Sequence, residues 1–412
     1  MSRIEVRISE RAPFAGGHVF DRAGPYERLK GRVYLAVNPD EPLYSDVVDL
    51  DKAPRNAGGL VECAADLLIL RPTDAEKGNR RLFFDFGNRG NKRCLQYFCD
   101  APGFNDPHTL EHAGNGFLFR RGYTVVWVAW EGDLLPGSGR MILKVPIAGE
   151  KQRPITGLVR TEFIASEPGN KCFPLSGFVS TYSYPAVSLD TRKAKLTRRR
   201  YATSGREGIA SDAWAFARVE GGAGIEILGQ EVAVLPSRRH VYLPTGFEPG
   251  WIYEILYTAR DPLVLGLGSA VVRDAVSFLR YGEKDDAGNE NPVRERIDKA
   301  YAWGRSQTGR AIREFIHCGY NKDAEGRKVF DGVMPHVSGA GLMWMNHRFA
   351  RVVNPAGQQY EDHHNIADRF PFSYAESTDH LTGKTDAILK RPLSDPLVIH
   401  TQSATEYWQR RG

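Results

Sequence analysis

The segment Tyr301-Ala302-Trp303-Gly304-Arg305-Ser306-Gln307-Thr308-Gly309-Arg310 joins an apolar run to a helical one through a turn that holds a serine. A serine alcohol is a weak nucleophile. To attack a carbonyl it must stand clear of its neighbours, lie near a base and face backbone N–H groups that can receive an oxyanion. A sharp strand-to-helix turn meets the first and third needs. Gly304 lets the helix pack close behind the strand, and the Gln307 N–H points toward the developing charge at the helix start. The usual pattern is G-x-S-x-G; here Thr308 takes the place of the second glycine, and Gly309 follows one position later. The competing reading is a serine that caps an ordinary helix. A second oxyanion N–H is expected from the loop 87–91, through Arg89 or Gly90, although that stretch also reads as a plain βα turn.

The elements that must position these residues fall into three textures. Residues 1–72 alternate short β-like runs with turn signals, as in Gly31-Arg32-Val33-Tyr34-Leu35-Ala36-Val37 and Ala65-Asp66-Leu67-Leu68-Ile69-Leu70, and predict a β-rich extension joined to a sheet. Residues 73–145 and 246–412 carry a βα rhythm. Arg81-Leu82-Phe83-Phe84-Asp85-Phe86 and Tyr123-Thr124-Val125-Val126-Trp127-Val128-Ala129-Trp130 are continuous apolar runs that suit strands covered on both faces. Apolar residues at helical spacing follow over 268–280 and 311–317, with further strands at 300–303, 330–334 and 396–400. The fold class is therefore α/β, a mostly parallel sheet with helices on both faces. Residues 146–245, rich in Ser, Thr and Pro, break the rhythm and read as a β-rich insertion or lid, with β-like pieces at 177–179 and 240–243.

Several of these runs together resemble one family. Gly304-Arg305-Ser306-Gln307-Thr308-Gly309-Arg310, Val329-Phe330-Asp331-Gly332-Val333-Met334-Pro335-His336 and Thr405-Glu406-Tyr407-Trp408 are similar to α/β-hydrolase domain-containing proteins. So are Gly24-Pro25-Tyr26-Glu27-Arg28, Asn88-Arg89-Gly90-Asn91-Lys92 and Arg121-Gly122-Tyr123. The resemblance covers nearly the whole chain and implies an α/β-hydrolase fold and a serine hydrolase of carboxylic esters. A remoter likeness is to glucuronoyl esterases, which also displace the second glycine. A triad runs in chain order serine, acid, histidine. Glu406, in the segment after the last strand, is the expected acid; its plainer reading is a surface glutamate beside two aromatics. No histidine follows it. Family members resembling this chain continue further and would carry the histidine there, so the expectation is a C-terminally truncated chain, with His336 and His400 as internal substitutes. The rival reading is a non-catalytic α/β-hydrolase-like binding or scaffold module.

Other motifs point elsewhere and are weaker. His108-Thr109-Leu110-Glu111-His112 matches the H-x-x-E-H zinc pattern, but Asp106-Pro107 precedes it and Gly114 follows within a turn. Gly266-Leu267-Gly268-Ser269-Ala270 is half of a dinucleotide fingerprint and reads better as a helix start. The glycines of 87–94 make no P-loop, because the lysine is misplaced. Asp379-His380 and His363-His364 sit in polar loop sequence. Accordingly no metal and no organic cofactor is expected.

Composition narrows the classes further. The 412 residues are 42% hydrophobic and 25% charged, with a formal net charge of +5, which excludes fibrous and wholly disordered chains. So small a charge over this length argues against a nucleic-acid partner, and the basic run 192–200 reads as a solvated loop. Cys63, Cys94, Cys99, Cys172 and Cys318 are scattered and read as free thiols. No apolar run of about 18 residues is present, so no membrane span is expected. Charges in Met1-Ser2-Arg3-Ile4-Glu5 oppose a signal peptide, which makes a cytoplasmic protein the default, although a chain trimmed at its start would read the same. The expected partner is a small-molecule ester, and the oligomeric state stays open.

Overall fold

The computed structural model describes residues 2–150, 153–178, 180–220, 233–293, 296–352 and 369–410. Its main sheet begins with three long strands, β1 (Arg3–Pro13), β2 (Gly24–Val37) and β3 (Val61–Pro72). They pair antiparallel in succession. Then come β4 (Arg81–Asp85) and β5 (Thr124–Val128). A second sheet interposes β6 (Thr156–Ile164), β7 (Lys195–Arg199), β8 (Glu207–Ile209) and β9 (Ile252–Arg260). The main sheet resumes with β10 (Lys299–Arg305), β11 (Gly332–His336) and β12 (Leu397–Val398). Its main path runs β1-β2-β3-β5-β4-β10-β11-β12. From β5 onward every neighbour is parallel.

Burial along β3 shows how sequence pattern becomes sheet position. Its first half alternates, with Val61, Cys63 and Ala65 buried and Glu62 exposed, because one face is still solvated there. Its second half, Leu67 to Pro72, is buried throughout, where both faces are covered. All of β5 and all but the first residue of β4 are likewise buried. These central strands carry the continuous apolar runs that parallel packing requires.

Four helices matter to the site: α1 (Cys94–Phe98), α2 (Leu267–Tyr281), α3 (Gln307–His317) and α4 (Ala404–Gln409). The second packs on β2 and β5, the third on β10 and β11. Close approach of α2 depends on Gly268, where an added Cβ would lie 2.1 Å from the Trp130 carbonyl oxygen. Gly268→Ala therefore sets two effects against each other. Helix propensity favours alanine by up to about 1 kcal/mol. Displacing backbone to relieve the clash costs roughly 3 kcal/mol. Packing wins, and urea unfolding should show a net loss of about 2 kcal/mol.

The inserted sheet runs in the order β6-β9-β7-β8. It reaches Arg260, so the expected return of the βα rhythm at 246 is corrected: β9 pairs with β6 along its whole length, from Ile252 opposite Ile164 to Arg260 opposite Thr156. Gly177 and Phe178 lie in a turn rather than a strand, and Val179 is outside the described residues. The insertion meets the main sheet at the C-terminal ends of its central strands. Leu135 N–H donates to the Ser180 carbonyl at 2.9 Å and Tyr182 N–H to the Asp133 carbonyl at 2.6 Å. The Arg89 guanidinium stands 5.3 Å from the Phe178 ring centre. All five cysteines are free, and no helix among the described residues is long and apolar enough to cross a membrane.

Candidate active site

Ser306 lies between the last residue of β10 and the first of α3, at φ 57° and ψ −113°. An L residue held at positive φ costs about 1–3 kcal/mol and persists only where its surroundings enforce it. Here the Ser306 N–H donates to the His336 carbonyl at 2.8 Å, which ties the turn to the end of β11. The serine occupies the N-cap position, yet its side chain makes no capping hydrogen bond. The ordinary-cap reading is thereby removed.

The displaced glycine also has a physical cause. Thr308 Oγ accepts the Arg305 N–H at 2.8 Å and donates to the Arg305 carbonyl at 3.1 Å, so the side chain closes the turn that carries Ser306. An added Cβ at Gly304 would lie 2.6 Å from the Thr308 carbonyl oxygen. One at Gly309 would lie 2.7 Å from the Ser338 Cβ, which is where α3 passes the segment after β11. Close helix packing thus rests on Gly304 and Gly309, and position 308 is released for a hydroxyl.

The loop expected to supply the second oxyanion donor is bound to the same turn, with Asn88 Nδ2 donating to the Arg305 carbonyl at 3.0 Å. Arg89, at φ 51°, turns its N–H inward, where it donates to Glu131 Oε1 at 2.8 Å. That N–H is committed to a buried carboxylate, which corrects its expected role as an oxyanion donor. At φ 73° position 90 accepts only glycine, since an added Cβ would lie 2.7 Å from the Met141 carbonyl oxygen. Gln307 is the first residue of α3, so its N–H belongs to the first-turn donors that have no partner within the helix. The Gln307 side chain is buried and donates from Nε2 to the Val352 carbonyl at 3.2 Å and to Glu131 Oε2 at 3.4 Å.

Glu406 stands in α4, after β12, where its carboxylate closes a capping box. Its Oε2 accepts the Ser403 N–H at 3.1 Å and the Ser403 hydroxyl. Partial burial opposes ionisation there, but the hydrogen bonds from Ser403 win and hold the carboxyl below its usual range. Among the described residues no histidine hydrogen-bonds Glu406 or the Ser306 hydroxyl. His336 Nδ1 meets Thr401 Oγ1 at 2.7 Å, and its ring lies nearly parallel to Trp303 at 6.4 Å between centres. His400 is engaged at both nitrogens, Nε2 with Ser338 Oγ at 2.8 Å and Nδ1 with Tyr374 Oη at 3.1 Å. His112 Nδ1 accepts the N–H groups of His108 and Thr109, so in the zinc-like motif it serves the single turn Leu110–Ala113. Asp379 and His380 lie in a turn, whereas His363 and His364 are outside the described residues.

Residues 198–410 match a family described as an alpha/beta hydrolase domain, just over half of the chain. The chain belongs to the α/β-hydrolase family. No curated protein matches. Among solved structures, a glucuronoyl esterase from Solibacter usitatus is similar at 12% identity with a TM-score of 0.28, over 82% of this chain and 54% of that one. The chain therefore spans about half the length of that structure.

For this α/β hydrolase, burial and then the charges of Arg313 and His336 push His400 down to about 4. The sign follows from linkage. The unfolded chain takes up a proton at His400 below about pH 6.5, and the folded chain does so only near pH 4, so stability is lost as pH falls through that window. His400→Gln should reduce the drop in melting midpoint between pH 6.5 and 4, measured against the parent protein in the same buffers.

Sequence reasoning missed Glu131. It is 1% exposed and lies in Trp130-Glu131-Gly132-Asp133, directly beyond β5. Burial first, and the nearby Asp133 second, push its carboxyl well above the usual range, against the hydrogen bonds from Arg89 and Gln307. Its signal was available, since two acids beyond the C-terminal end of a fully buried strand lie where open α/β sheets bind ligands.

Proposed function

We propose that this α/β hydrolase cleaves carboxylic esters by acyl transfer through Ser306. The observation that carries the reading is the strained, uncapped Ser306 between β10 and α3, a geometry that has no use in helix capping and serves a nucleophile elbow. Ser306 Oγ attacks the ester carbonyl carbon, its proton passes to a base, and the alcohol leaves with a proton. Water then attacks the acyl-enzyme carbonyl, the Oγ–acyl bond breaks, the carboxylic acid leaves and Ser306 Oγ regains a proton. The Gln307 N–H receives the oxyanion, with the Gly90 N–H as its second donor in place of the committed Arg89. No metal or organic cofactor enters these steps. The insertion, which meets the sheet beside Arg89 and Asp133, acts as the lid over a small-molecule ester.

Two internal histidines, His336 and His400, compete for the role of base. His400 is disfavoured by its two hydrogen bonds. His336 has only Nδ1 engaged among the described contacts; burial and then the charge of Arg305 hold its pKa below the usual value, against the charge of Glu406. The test is hydrolysis of p-nitrophenyl acetate with His336→Ala and His400→Ala, alongside a fluorophosphonate label located by peptide mass spectrometry. Labelling at Ser306 supports the reading. The second reading, a non-catalytic binding module, is favoured by the lack of a histidine on Ser306 among the described residues; it requires that neither labelling nor turnover occurs.

A further inference from the structure

The other end of α3 carries a cluster that the reaction does not use. Glu314, His317 and Cys318 follow at spacings of three and four residues and so share one face at the C-terminal end of the helix. About eight to twelve residues separate them from Ser306, roughly 12–18 Å along the axis. One potential ligand atom from each lies within 4.8 Å of those of the other two.

Two of the three side chains present buried acceptors that lack a hydrogen bond of good geometry. Glu314 is 4% exposed; its Oε1 pairs with Arg369 at 2.6 Å, and among the described residues its Oε2 makes no hydrogen bond of good geometry, although the Cys318 thiol and the Met343 N–H interact with the carboxylate. His317 meets Asp386 through Nε2 at 3.1 Å, and among the described residues its buried Nδ1 has no partner. With Nε2–H donated to a carboxylate, Nδ1 bears the lone pair. Leaving such atoms unpaired in the interior is costly.

We propose that Glu314, His317 and Cys318 form a Zn²⁺ site. Carboxylate, imidazole and thiolate together suit zinc, and the sulfur and nitrogen donors disfavour Mg²⁺ and Ca²⁺. Binding forms one bond each from Zn²⁺ to Glu314 Oε2, His317 Nδ1 and Cys318 Sγ, and releases the thiol proton to solvent. Tetrahedral zinc holds its donors roughly 3.3–3.7 Å apart, so donors up to 4.8 Å apart close by up to about 1.5 Å. Asp386 is the carboxylate that orients the ligating imidazole. It is itself held by Lys384 at 3.0 Å and Lys390 at 2.7 Å. Arg369 holds Glu314 Oε1 and leaves Oε2 for the metal. Water supplies the fourth position, since the His317 side chain retains 17% exposure.

The test titrates chelator-treated, full-length protein with Zn²⁺ by calorimetry and with Co²⁺ by absorbance. One equivalent should bind, with a cobalt–thiolate charge-transfer band that is absent from Cys318→Ser. Cys318→Ser and His317→Gln should each weaken Zn²⁺ at least tenfold, and Asp386→Asn about 10–100-fold. Zinc should also raise the melting midpoint of the parent protein and not of Cys318→Ser, which separates ligation from a folding defect. Absence of saturable binding by the parent protein overturns the site, as does binding that survives all three substitutions unchanged.

Discussion

Ser306→Ala is expected to abolish fluorophosphonate labelling and to lower kcat/KM on a p-nitrophenyl ester by about 10⁴–10⁶-fold, with the melting midpoint unchanged. The size follows from the role assigned to the hydroxyl. Without Oγ no acyl-enzyme forms, and only oxyanion contacts and binding remain to accelerate direct attack by water. The stability expectation follows from the geometry, because the Ser306 side chain caps nothing and its removal leaves no capping donor unpaired. A companion variant checks the strain. Ser306→Gly should be equally inactive yet more stable by about 1 kcal/mol, since glycine tolerates φ 57° without steric strain. Equal labelling of Ser306→Ala and parent at another serine would remove Ser306 as the nucleophile. If the parent protein neither labels nor turns over under conditions that preserve its fold, the binding-module reading takes over.

Glu131→Ala should lower kcat by about 10²–10³-fold with little change in KM. Glu131 joins the two sides of the site, accepting the Arg89 N–H through one oxygen and the Gln307 amide through the other. Its truncation leaves both donors without that acceptor and frees the loop carrying Gly90 to move relative to the first turn of α3. Misplacement by about 1 Å costs on the order of 10² in rate, and loss of one oxyanion donor about 10²–10³. Such interactions act in the transition state, hence the fall in kcat rather than in substrate binding. Glu131→Gln keeps an acceptor for Arg89 and should recover most of the rate. A loss of kcat equal in the two variants would contradict a positioning role, as would a defect confined to KM.

The turn at Ser306 was legible because its causes are local. Gly304, Thr308 and Gly309 are within a few residues of the serine, and strand, turn and helix each follow from adjacent residue types. The central strands were legible for a similar reason, since burial on both faces demands uninterrupted apolar side chains. Pairings between distant segments were not. Strand β9 joins β6 across about ninety residues, and nothing in its alternating pattern distinguishes a strand of the inserted sheet from one of the main sheet. The site divides the same way. Gln307 is tied to the serine by sequence adjacency, whereas the Arg89 N–H was lost to Glu131, 42 positions away, through a turn whose direction only packing sets. In sequence His400 is a candidate substitute for the missing base, and the fold spends its two nitrogens on Ser338 and Tyr374. Residue type and short spacing determine which chemistry a segment could perform. Which groups remain available to perform it is decided by hydrogen bonds between segments far apart in the chain, formed only once burial makes an unpaired polar group costly.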